Sequence, residues 1–171
     1  MEIRPPRDDD FAAIADITNH YIETSTIHFA YQPVTAESLL EHWHAARGRF
    51  PWLVAEDGGA VVAYAKAGTW RDREAYDWTA EVGLYVHHEA HRRGIGRRLY
   101  AELLAELGRR GFRSAIGGIA LPNDASEELH RALGFEPVGT VLDAGWKHGR
   151  WCDVAFWQKR LATGAGEPPS R

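Results

Sequence analysis

Residues 91–98 read His-Arg-Arg-Gly-Ile-Gly-Arg-Arg, so Gly94 and Gly96 stand one residue apart among Arg92, Arg93, Arg97 and Arg98. A turn of this kind can hold a phosphate. Glycine lets the main chain approach an oxyanion closely, the first N–H groups of a helix have no partner within it, and the helix dipole is positive at that end. The same residues would also make a plain strand-to-helix turn with solvated arginines, and a glycine pair alone does not separate the two. Upstream, Glu81 sits inside Thr79–Val86, a stretch that reads as a strand. A carboxylate there is costly unless it faces a cleft or meets a partner. In a cleft, partial desolvation lifts its pKa toward the range of a general base. A strand-face glutamate paired with an arginine is the plainer alternative. His87, His88 and His91 have no carboxylate or thiolate at convincing ligand spacing, so no metal site is expected. Cys152, between Trp151 and Asp153 in an apolar stretch, is expected to pack as a small buried hydrophobe rather than act as a nucleophile.

These groups need elements to position them. Leu99, Leu103, Leu104 and Leu107 recur at helical spacing after the glycine turn, which predicts a helix at about 96–110 following a strand at 79–87. Further upstream the pattern gives a strand at Glu2–Arg4 and a helix opened and capped by Asp8-Asp9-Asp10, with Phe11, Ile14, Ala15 and Ile17 on one face. A loop at Glu23–Val34 leads to a second helix from Thr35. Trp52–Glu56 and Ala60–Ala67 form a hairpin across Asp57-Gly58-Gly59. Downstream come a strand at Phe112–Ile119, a helix at Asp124–Leu133 closed by Gly134, and two strands near 135–142 and 151–159. Helices interleaved with a largely antiparallel sheet predict a three-layer α/β arrangement, in the order βααβββαβαββ.

The 171 residues suit one domain, expected over 1–162, with Thr163–Arg171 as a flexible tail rich in Gly, Pro and Ser. A net charge of −4 disfavours a nucleic-acid partner, so the arginines at 92–98 form a local site. One cysteine excludes an internal disulfide framework. Met1-Glu2-Ile3-Arg4-Pro5-Pro6 lacks the apolar run of a signal peptide and no apolar stretch is long enough to span a bilayer, which predicts a cytoplasmic protein with no membrane partner.

The element order, the turn His91–Gly96 and the later segment Asn123–Phe135 together resemble the GNAT superfamily of acyl-coenzyme A N-acyltransferases. Asn19–Thr26, Pro51–Glu56, Ala75–Glu81, Leu121–Asp124 and Lys147–Trp151 look like its phosphinothricin N-acetyltransferase branch, and the resemblance spans about residues 2–160. It implies a GNAT-like α/β/α fold with a mixed, mostly antiparallel sheet, and acetyl-CoA as cosubstrate without a metal. Carried over by position, Arg92, Arg93, Gly94, Ile95, Gly96 and Arg97 would bind the pyrophosphate, while Leu84, Tyr85, Val86 and Asn123 would contact the pantetheine arm. Glu81 matches the family's catalytic glutamate. His91 departs from the Gln or Arg usual in the turn. His130 stands where many superfamily members carry a tyrosine proposed as general acid, and there the branch resembles this chain.

Acetyl transfer to an amine needs the amine as free base, and Glu81 would take its proton. A backbone N–H in Leu84–Val86 would stabilise the oxyanion, and Tyr100 or His130 would protonate the leaving thiolate. A buried, hydrogen-bonded structural role is the alternative for His130, and packing against the sheet for Tyr100. An amino-acid acceptor also needs a cation for its carboxylate or phosphinate. Arg71 and Arg73 in the loop Trp70–Trp78 are suited to this, since arginine binds such groups bidentately. The resemblance adds Tyr76 as an aromatic contact and Phe29 and Val154 as apolar ones. The expected activity is N-acetylation of an amino acid or analogue of the phosphinothricin, methionine sulfoximine or methionine sulfone type. A protein N-terminus or polyamine acceptor and a non-catalytic coenzyme A sensor are the alternatives. The resemblance and the seven tryptophans predict a homodimer.

Overall fold

A computed structural model describes residues 1–162, 166 and 167, so the expected tail lies outside the described residues apart from those two. Seven strands, β1 (Glu2–Arg4), β2 (Trp52–Asp57), β3 (Ala60–Thr69), β4 (Thr79–Val86), β5 (Ser114–Ala120), β6 (Glu136–Lys147) and β7 (Arg150–Arg160), form one sheet in the order β1-β2-β3-β4-β5-β7-β6. Four helices, α1 (Phe11–Thr24), α2 (Ala36–Ala46), α3 (Ile95–Arg109) and α4 (Asp124–Ala132), complete the expected element order. Among the described residues no helix is long and apolar enough to cross a membrane.

Alternation along the strands sorts the side chains into two layers of core. Leu99, Tyr100, Leu103 and Leu107 of α3 pack on Ala63, Ala65, Ala67, Ala80 and Val82, where small strand residues let the helix approach closely. On the opposite face, Phe11, Ile14, Ile17 and Tyr21 of α1 and Trp43 of α2 cover Trp52, Val54 and Tyr64. Thr35 caps α2 through a hydrogen bond accepted from the Ser38 N–H at 3.1 Å. Helices therefore cover the α1 face only over the first strands, and the β5–β7–β6 side of that face stays open.

The decisive feature is the pairing of β4 with β5, the one parallel pair among the described residues. It runs only from Thr79↔Ser114 to Val82↔Gly117. Beyond it β4 stays with β3 to Val86, and β5 stays with β7 to Ala120. The sheet splits there into a wedge.

Two expectations differ from the structure. Asp8–Asp10 form a 3-10 turn in which Asp10 caps the turn's own start, and at the N-cap of α1 Asp10 makes no side-chain bond to that helix. Its carboxylate instead accepts from Arg4 at 2.7 and 2.9 Å and from the Arg7 N–H at 2.6 Å, while Arg4 also reaches Glu56 at 2.6 Å. Arg4 is only 9% exposed, and two carboxylates satisfy it better than a helix end would satisfy Asp10. The last two strands are also longer than expected. Asp143-Ala144-Gly145 falls between the two expected strands, but it is a bulge within β6 in which Asp143 takes φ 51° and its N–H donates to Asp153 Oδ1 at 2.9 Å. The hairpin then closes at His148-Gly149, both with positive φ (49° and 73°), the geometry of a tight two-residue turn.

Candidate active site

The glycine turn is built as a nest. After the extended His91, Arg92 (φ 62°) and Gly94 (φ 73°) take left-handed conformations, a pattern that turns N–H groups of the turn toward one side just before α3 begins at Ile95. Gly94 is the N-cap of α3 and supplies no side-chain bond, which leaves the first N–H groups of the helix unsatisfied from within. A Cβ on Gly96 would lie 3.1 Å from Leu84 Cδ2 and 3.3 Å from Val86 Cγ2, so glycine is what lets the helix start lie against β4. Arg93 is paired with Asp57 at 2.5 Å on the surface. Arg92 and Arg97 are exposed beside the nest.

His91 and Tyr21 fasten the end of β4 from outside. The Tyr21 hydroxyl donates to the Val86 carbonyl at 2.5 Å, and His91 Nε2 lies 2.9 Å from that hydroxyl and 3.2 Å from the same carbonyl. The His87 N–H donates to Val62 of β3 at 2.8 Å, so by strand alternation the main-chain groups of Leu84 and the N–H of Val86 turn the other way, toward the wedge.

A narrow cleft fills the wedge, lined by Val82, Leu84 and Tyr85 on one side and Gly118, Ile119, Ala120 and Asn123 on the other, with Tyr100, Ser126, Leu129 and His130 at its base. Asn123 caps α4, its Oδ1 accepting from the Ser126 N–H at 3.2 Å, and its side-chain N–H groups meet no protein acceptor among the described residues. The His130 ring is 6% exposed. Nδ1 donates to the Ser126 carbonyl at 2.7 Å, so Nε2 carries the lone pair and accepts from the Tyr100 hydroxyl at 3.2 Å. Burial lowers the pKa of His130 and raises that of Tyr100, which keeps both neutral. A Cβ on Gly117 would fall 2.5 Å from His130 Nε2, so the imidazole rests directly on the β5 backbone.

The cleft opens into a wider cavity of ≈ 420 Å³ on the open face of the sheet. Glu81, Tyr85, Ile27, His28 and Phe29 line one side, and Gly118, Ala120, Val141, Ala144, Val154 and Phe156 the other. Ile27, Tyr85, Gly118 and Ala120 line both spaces, which makes them contiguous. Glu81 is open to solvent on its pocket side yet crowded by protein, and this loss of hydration raises its pKa, with the positive charge of Lys66 pulling it back. A carboxylate so tuned is a better base than an ordinary surface glutamate. Phe29 fits because residue 145 is glycine, whose Cβ would lie 2.3 Å from the ring.

The geometry joins a nest-shaped turn, a narrow cleft along β4 and a pocket that holds the Glu81 carboxylate. The family model described as Acetyltransferase (GNAT) family matches residues 14–135. The chain belongs to this family. It is 47% identical over 171 residues to phosphinothricin N-acetyltransferase of Streptomyces viridochromogenes, covering 100% of this chain and 93% of the relative. With the L-methionine sulfoximine/L-methionine sulfone acetyltransferase of Salmonella typhimurium it shares 36% identity over 94% of this chain and 95% of that protein. The fold superposes with a TM-score of 0.94 on a GNAT superfamily phosphinothricin acetyltransferase from Sinorhizobium meliloti in complex with acetyl-CoA, at 34% identity, covering 98% and 92% of the two chains.

Within this GNAT fold the structure brings Glu81, Phe29 and Val154 into one pocket and Leu84, Tyr85, Asn123, Tyr100 and His130 into the adjoining cleft. It does not bring Arg71, Arg73 and Tyr76 into the lining. They lie on an exposed loop at the rim, where Arg71 stacks over Trp70 at 5.2 Å and Trp70 meets the pocket residue Phe156 edge-on at 5.6 Å. Sequence reasoning missed Phe156 and His28. Phe156 was within reach, since it is two residues from Val154 on a strand and so shares its face. His28 sits in an irregular loop, where no periodicity assigns a direction.

Proposed function

We propose that this GNAT enzyme transfers the acetyl group of acetyl-CoA to the α-amino group of amino acids of the phosphinothricin, methionine sulfoximine and methionine sulfone type. The observation that carries this reading is the continuity of the cleft with the pocket, the nest at the head of one and Glu81 in the other. The 92–97 turn holds the pyrophosphate by its N–H groups and the α3 dipole, with Arg92, Arg93 and Arg97 adding charge. The pantetheine arm lies along Leu84–Val86 and reaches Asn123.

Glu81 takes a proton from the ammonium, the amine attacks the thioester carbonyl, and a β4 N–H stabilises the oxyanion. The C–S bond then breaks, the nitrogen gives up its second proton, and the leaving thiolate takes up one proton by way of Tyr100 or His130, which are hydrogen-bonded to each other at the base of the cleft and end the cycle neutral. No acyl-enzyme is needed, and Cys152 is buried away from the chemistry. Holding both substrates in one cleft supplies about 7–11 kcal/mol in favourable cases. Phe29 and Val154 contact the acceptor side chain, while Arg71, Arg73 and Tyr76 close over its carboxylate from the rim.

Arg73→Ala is expected to raise the acceptor KM on the order of tenfold or more, the worth of one charge-assisted hydrogen bond, and to leave the KM for acetyl-CoA unchanged. Equal effects on both would remove Arg73 from the acceptor site. The homodimer is a further part of this reading, supported by the exposed Val138, Val141, Leu142, Trp146 and Trp151 along β6 and β7. Light scattering at micromolar concentration should give twice the chain mass, and a monomer mass would contradict it.

A further inference from the structure

His28 is held in the pocket wall by more than packing. Lys147, buried at the end of β6, donates from Nζ to the Ile22 carbonyl at 2.6 Å and to the His28 carbonyl at 2.5 Å, which pins the loop after α1 against the last strands. The imidazole faces Tyr85, with ring centres 5.9 Å apart. Its Nδ1 accepts the Ala30 N–H at 3.2 Å, and Nε2 has no protein partner among the described residues.

The tautomer follows from this. A lone pair on Nδ1 places the proton of the neutral ring on Nε2, so the pocket is presented with an N–H donor and no second lone pair. Loss of hydration and the positive charges of Lys66 and Lys147 push the His28 pKa down to about 4, so the ring is neutral at ordinary pH. His28 therefore offers a hydrogen bond without a charge and is no competitor to Glu81 as base.

The proposed acceptors share a feature that suits such a donor. Phosphinothricin, methionine sulfoximine and methionine sulfone each carry a tetrahedral phosphorus or sulfur with oxygen on the side chain, anionic in the first and neutral in the sulfone. A fixed cation would favour the anion, whereas a neutral N–H serves all three. Resting on the acceptor class proposed above, we infer that His28 is a specificity residue whose Nε2–H donates to the side-chain P–O or S=O oxygen of the acceptor.

The test compares L-methionine sulfone with L-methionine, which have the same length and charge and differ by two oxygens on sulfur. Wild type, His28→Leu and His28→Asn are each assayed for coenzyme A release. Wild type should prefer the sulfone. His28→Leu should raise the sulfone KM on the order of tenfold while leaving the KM for acetyl-CoA in place, and so lose the preference. His28→Asn, which keeps an N–H donor, should restore most of it. A Leu variant that keeps the preference, an Asn variant no better than Leu, or a wild type that uses both acceptors equally would overturn the role of His28 alone. A wild type that acetylates neither amino acid would overturn the acceptor class and the inference with it.

Discussion

Glu81→Gln is expected to fold and bind acetyl-CoA as wild type does, and to lose kcat at neutral pH by about 10²–10⁴-fold, the usual contribution of a general base. Glutamine keeps the shape of the side chain and its reach toward the pocket but cannot accept the proton. Raising the pH should partly rescue the variant, because solvent then supplies more of the acceptor as free amine. The wild-type profile carries a second signature. The loss of hydration around Glu81 raises its pKa, so activity should fall on acidification at a higher pH than a fully solvated glutamate would impose, as the base becomes protonated. A Gln variant with wild-type kcat at neutral pH would make Glu81 structural and leave deprotonation to solvent.

Much of this architecture was legible in the chain because its signals are local. The helix after the glycine turn announces itself through Leu99, Leu103 and Leu107, the β2–β3 hairpin through Asp57-Gly58-Gly59, and the end of α4 through Gly134 with its φ of 79°. The order of elements followed, and with the two motifs in register so did the family. Features that depend on distant pairing were not legible. Nothing in Thr79–Val86 or Phe112–Ile119 says that their pairing stops at Val82 and Gly117, yet that stop creates the cleft. The acidic triplet reads as a cap, and Asp10 does accept the Arg7 N–H, but nothing in the triplet says that Asp10 also pairs with Arg4, which Glu56 shares from 52 residues away. Arg71 and Arg73 carry the needed charge and stand near Glu81 in sequence. The loop carries them to the rim, while His28, from an element far upstream, lines the pocket.

The central claim is that the wedge between β4 and β5, headed by the 92–97 turn, is a coenzyme A site. A thermal-shift titration with acetyl-CoA on wild type and Gly96→Val tests it most directly. A ligand bound only by the folded state raises the melting temperature by mass action, by about 2.7 kcal/mol of stability at a hundredfold excess over Kd. Valine at position 96 would drive its side chain into Leu84 and Val86, from 3.1 and 3.3 Å at the Cβ alone, and lever the start of α3 off the strand. That moves the N–H groups of the nest away from the main-chain groups that must bind the same ligand. Wild type should shift upward with acetyl-CoA, and Gly96→Val should remain folded without ligand yet show no shift. A wild type that does not respond at millimolar acetyl-CoA, or a variant that responds as fully as wild type, would contradict the assignment of the site.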